Sequence, residues 1–119
     1  MITAFELVQR CMSEKHWQLW INQYLDDFRR ASASERAISV ASGPSHDGKF
    51  EGLVAAVVSA LCRETETSAP AWVATTRSEE PFFAVHAEGY ALRIRLMLES
   101  PAPFRTRNVF VPETYMSRA

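Results

Sequence analysis

The sequence predicts a mainly α-helical fold in one small domain with an irregular C-terminal third. Three observations carry that expectation. Thr3 and Glu6 have the spacing of a capping box, which marks a helix start. Apolar residues recur at helical spacing in "WQLWINQYLDDF" and in the run from Leu53 to Cys62. A length of 119 residues, with 47% hydrophobic and 23% charged, fits a single globular core. We divide the chain into a helical part, residues 1–66, and a loop-rich anchor and C-terminal region, residues 67–119.

The first helix starts at about residue 4, with Ile2 placed to staple onto Leu7 and Ser13 placed to interrupt it. Trp17, Trp20, Tyr24 and Phe28 then form the apolar stripe of a second helix, while Lys15, Gln18, Asn22 and Asp26 make its polar side. Core packing is the ordinary use of such a stripe, and a partner-binding groove is the alternative. "ASASERAISVASGPSHDGK" reads as a linker, with room for a short helix from Ser34. Asp47 is expected to cap the next helix, in which Phe50, Val54, Val57 and Leu61 share a face. Beyond Pro70, "PAWV" and "PFFAV" are apolar anchors on a polar loop. Tyr90, Leu92, Ile94, Leu96 and Leu98 alternate with a strand's period, although Ala, Leu, Met, Arg and Glu are helix formers. An α+β alternative with a short antiparallel hairpin around residues 82–98 therefore stays open. "NVFV" reads as extended, and Pro112 could open a short terminal helix.

The longest apolar run is too short for the about 20 residues of a bilayer span. No membrane span is expected, and with no basic, apolar leader at the start the expected location is the cytoplasm. Cys11 and Cys62 are accordingly expected to be reduced. The net charge of −1 gives no general attraction to nucleic acid. Its distribution is uneven. Residues 1–87 carry 8 Lys or Arg against 11 Asp or Glu, and residues 88–119 carry 5 arginines against 3 glutamates.

No catalytic constellation is legible. "GPSHDGKF" has most of a phosphate-binding loop, but Phe50 stands where a magnesium-ligating hydroxyl belongs and Pro44 removes a backbone donor. Ser45, His46 and Asp47 are consecutive, so their side chains diverge and cannot form a proton relay. Cys11, His16, His46, Cys62 and His86 show no metal-ligand spacing, and no cofactor or metal is expected. The acid pairs Asp26–Asp27 and Glu79–Glu80 read as solvated. The remaining candidate is "PFRTRNVFV". Its phenylalanines could pack in the core with structural roles for the arginines, or the segment could form an arginine-centred interface for protein or RNA.

The segment "ESPAPFRTRNVFVPETYMSRA", with "APAWV" and "EEPFF" upstream, resembles an uncharacterised family of short bacterial proteins ending in S-P-x-x-F-R-x-R-N-x-F and then S-R-A. The likeness covers the chain from Pro70 onward. It implies a mainly helical protein, with helix favoured over strand in "HAEGYALRIRLMLES". It also implies a non-enzymatic, antitoxin-like partner of a nucleotidyltransferase-like protein encoded nearby. Thr106 stands where relatives carry another arginine, which thins the basic patch. The expected interaction residues are Phe104, Arg105, Arg107, Asn108, Phe110 and Arg118. A nucleic-acid-binding protein and a small enzyme with a site assembled only in the fold are the alternatives, and homo-oligomerisation is compatible with either.

Overall fold

The computed structural model describes residues 1–118. Among them, the helices are α1 (Ala4–Ser13), α2 (Trp17–Arg30), α3 (Ala33–Ala41), α4 (Lys49–Thr65), α5 (Ala71–Thr75), α6 (Tyr90–Glu99) and α7 (Ala102–Arg105). Strands β1 (Phe82–Phe83) and β2 (Val109–Phe110) form a two-stranded sheet. The protein is thus mainly helical, as its sequence predicts.

Helix α4 is the centre, contacting α1, α2, α5, α7 and β2. Every residue from Glu51 to Val58 is buried, as a helix packed on all sides requires. Around it stand Leu7, Val8 and Cys11 of α1, Ile21, Tyr24, Leu25 and Phe28 of α2, and Phe104, Val109 and Val111 from the C-terminal region. The α1 capping box forms as expected, with the Thr3 hydroxyl accepting from the Glu6 N–H and the Glu6 carboxylate accepting from the Thr3 N–H. Tyr24 and Phe28 are buried, while Trp17 and Trp20 are half-buried against the core. The "linker" holds a full helix: Ser32 and Glu35 close a second capping box at the start of α3, and the Trp72 indole N–H donates to the Val40 carbonyl at 2.8 Å.

Three local expectations are corrected. Asp47 does not cap α4; its carboxylate accepts from the Arg77 N–H at 3.1 Å, and Gly48 is the residue before the helix. The proposed antiparallel hairpin at 82–98 is absent among the described residues. Phe82 and Phe83 instead run parallel to Val109 and Phe110, with α6 and α7 as the crossover a parallel pair needs. Pro112 opens a turn over residues 113–116 rather than a helix, and Pro103 to Arg105 lie in α7 rather than in an extended segment.

Gly52 explains how the C-terminal region docks. A side chain there would run into the backbone N of Ser78 and stand 2.8 Å from the Arg77 carbonyl carbon. Its absence lets the 77–78 backbone lie directly on α4. The Ser78 N–H then donates to the Arg107 carbonyl at 2.9 Å, and the Asn108 amide donates to the Ser78 carbonyl at 3.3 Å.

Candidate functional site

The C-terminal motif is mostly engaged inside the fold. Phe104 is buried and meets Tyr115 edge-on at 5.5 Å between ring centroids. Phe110 is buried and tilts against Phe83 at 5.2 Å. The Arg107 guanidinium forks onto the Val73 carbonyl through Nε at 3.0 Å and Nη2 at 2.7 Å, and Nη1 donates to the Pro103 carbonyl at 2.7 Å. Burial pulls this guanidinium below its ordinary pKa. Asn108 takes a left-handed conformation at φ 63°, which Asn tolerates better than most residues. Arg118 pairs with Asp26 at 3.1 Å, far along the chain on α2. Arg105 remains exposed, with a single 3.3 Å bond to the Ser100 carbonyl. The six residues therefore do not share one surface.

The catalytic-looking residues are also dispersed. His46 pairs with the buried Glu51 at 2.8 Å rather than with Ser45 or Asp47. Lys49 Nζ lies over the Phe50 and Phe82 rings, at 5.2 and 5.7 Å, instead of over an open anion cradle. The cleft that Lys49 lines, of about 260 Å³, also holds Glu79 and Glu80, two carboxylates against one ammonium, a balance that disfavours a phosphate. Cys11 and Cys62 are buried free thiols, and desolvation pushes Cys11 up to about 12 and Cys62 upward, away from the reactive thiolate. Among the described residues no group of three or more His, Cys, Asp or Glu could hold a metal.

What the structure leaves open is α6. Leu96 is the residue this helix buries, at 4% exposure. Its large apolar side chains otherwise face outward: Tyr90 is 81% exposed, Leu98 75%, Met97 43%, Leu92 40% and Ile94 39%. At about 100° per residue, Tyr90, Ile94 and Leu98 fall on one line, with Met97 beside it and Leu96 across the helix. The stripe therefore points away from the body. Charged residues edge it: Arg93 on one side, with its guanidinium over Phe83 at 5.5 Å, and Arg95 on the other, paired with Glu99 at 2.7 Å.

The C-terminal end of α6 is the rooted one. Gly89 precedes the helix at φ 87°, a value that suits glycine and turns the chain into it. At the far end the Ser100 hydroxyl donates toward the Leu96 and Val111 carbonyls, at 2.6 and 3.0 Å, and accepts from the Val111 N–H at 2.9 Å. The motif residues Ser100, Phe104, Arg107 and Asn108 thus fasten the base on which α6 stands. A second apolar feature lies on the α1–α2 side, a shallow groove of about 400 Å³ lined by Glu14, His16, Leu19, Trp20 and Gln23. Sequence reasoning missed the α6 stripe because its period-two alternation concealed an i, i+4 line.

In comparisons with known proteins, no family model, no curated protein and no solved structure matches this chain. Among the described residues no helix is long and apolar enough to cross a membrane.

Proposed function

We propose that this protein is a non-enzymatic protein-interaction module whose recognition element is α6. The observation that carries this reading is the outward stripe of Tyr90, Ile94, Met97 and Leu98 on a helix that buries only Leu96. A helix serving its own core turns its apolar face inward; this one keeps it in water, at a cost that covering by a protein would remove. Arg93 and Arg95 beside the stripe, and exposed Arg105 near its base, supply the polar rim usual around such a contact. The likeness of the C-terminal motif to the short bacterial family favours a partner of nucleotidyltransferase-like type, encoded nearby, with this chain in the antitoxin-like role.

Nucleic acid is the less favoured occupant. Arg107 and Arg118 are committed to backbone carbonyls and to Asp26, which leaves little basic surface around Arg105. The test is affinity purification of the tagged protein from its host at native expression, beside a Leu98→Glu variant. A stoichiometric nucleotidyltransferase-like protein that co-elutes with the native chain and is lost with the variant supports the reading. No co-eluting protein, or one indifferent to Leu98→Glu, contradicts it.

A further inference from the structure

We propose that residues 112–118 form a releasable strap, the internal occupant of a groove along α2 that opens to admit a partner segment of the same chemistry: a phenol and, three residues on, a guanidinium. This surface is separate from the α6 stripe.

The seat of the strap is polar. Gln18, Asn22 and Asp26 follow one another at i, i+4 spacing down α2, where the sequence places a solvated side, yet all three are half-buried. The strap lies on this row. The Tyr115 hydroxyl donates to Gln18 Oε1 at 2.7 Å, the Gln18 amide donates onward to Asn22 Oδ1 at 3.0 Å, and the Arg118 guanidinium forks onto Asp26 through Nε and Nη2, each at 3.1 Å. Buried Phe104 floors the recess that receives the Tyr115 ring. Gln18 and Asp26 stand about two turns apart, about 12 Å, a span that three residues and a long arginine side chain cover. The groove thus reads two side chains and the spacing between them.

Its attachment makes the strap releasable. Val111 is the last fixed point: it is buried, its N–H donates to the Ser100 hydroxyl at 2.9 Å, and its carbonyl accepts from that hydroxyl at 3.0 Å. Beyond it, among the described residues, the backbone hydrogen bonds of 112–118 are internal, from the Tyr115 N–H to the Pro112 carbonyl at 3.0 Å and from the Ser117 N–H to the Thr114 carbonyl at 2.9 Å. Side chains alone hold the strap to the body. Gln18, Asn22, Asp26 and Arg118 can all turn to water when it leaves, and an ion pair as exposed as Arg118–Asp26 weakens with salt. Opening breaks no helix or strand.

The experiment reads opening at a thiol and recognition with a peptide. Burial holds the Tyr115 phenol above its ordinary pKa and nearby Cys11 adds to the rise, so this buried thiol sits beside the strap, whereas Cys62 adds in the same way to Tyr24. Iodoacetamide labelling, mapped by mass spectrometry, is expected to reach Cys11 before Cys62, and to reach it about threefold faster in Arg118→Ala with Cys62 unchanged. In fluorescence anisotropy, a labelled peptide "PETYMSR" is expected to bind the full chain carrying Tyr115→Ala at least about tenfold more tightly than the native chain, whose own strap competes. Phenylalanine in place of the peptide's tyrosine should weaken binding by about fivefold. If Tyr115→Ala does not fold, the Arg118→Ala chain is the receptor. Cys11 and Cys62 labelled together, at rates indifferent to Arg118→Ala, overturn the release of the strap. A peptide that binds neither variant, or binds the native chain equally well, overturns the groove.

Discussion

Replacing Arg107 by Ala removes a half-buried guanidinium that binds three times to two backbone carbonyls, those of Val73 and Pro103. Hydrogen bonds from a charged donor contribute about 1.5–3 kcal/mol each, and partial exposure lets water take over some of the freed acceptors. The fork on Val73 and the bond to Pro103 together make about 3 kcal/mol the expected loss. For a chain of this size that corresponds to a fall in Tm of about 10 °C. Arg107→Lys retains the charge but cannot fork, and should recover less than half of the loss. Arg105→Ala is the internal control: exposed and held by one long bond, it should change stability by less than about 0.5 kcal/mol. Urea unfolding followed by circular dichroism reads all three. If Arg107→Ala and Arg105→Ala unfold alike, the structural assignment of Arg107 is refuted and the motif arginines become equivalent surface residues.

Gly52→Ala forces a methyl group into the Arg77–Ser78 backbone and should cost about 3 kcal/mol or prevent folding, as judged by soluble yield and unfolding midpoint. Tyr24→Phe removes the 2.7 Å bond to Ser39, whose hydroxyl also donates to the Ile2 carbonyl at 2.8 Å, and should cost about 1–2 kcal/mol; a double cycle with Ser39→Ala should show the two losses to be coupled. Burial raises the pKa of Cys11 and of Tyr24 to about 12, so each favours its neutral form in the folded state. Their contribution is whole below their ordinary values of 9.0 and 10.0 and is lost as pH rises toward 12. The urea midpoint should therefore hold from neutral pH to about 9 and fall above it.

How much of this was legible depends on how far each residue's partner lies along the chain. The α1 capping box closes within three residues, and the α4 stripe repeats within one helix, so both were readable. The α3 helix was legible only as room for a short helix from Ser34, because Ala33, Ser34, Ala37 and Ser39 resemble a linker in composition and its firmer signal lay in the Ser32–Glu35 box. In α6 the even-numbered residues divide between two helical rows, Tyr90, Ile94 and Leu98 on one and Leu92 and Leu96 on the other, with Leu96 the buried member, so an apparent strand pattern is two helical rows superposed. The helix formers Ala, Leu, Met, Arg and Glu decide for helix. Arg107 and Asn108 bind carbonyls 34 and 30 residues away, and nothing local distinguishes such an arginine from one awaiting a partner.

The most direct test of α6 as a docking surface is amide hydrogen exchange across Tyr90–Glu99, read in the protein alone and again with any co-purified partner bound. A ten-residue helix that buries one side chain is marginal alone, so its amides should exchange quickly in the dilute protein. Protection that grows in α6 on partner binding, while α4 stays uniformly slow, is the predicted result. Exchange in α6 that ignores the partner would contradict the account.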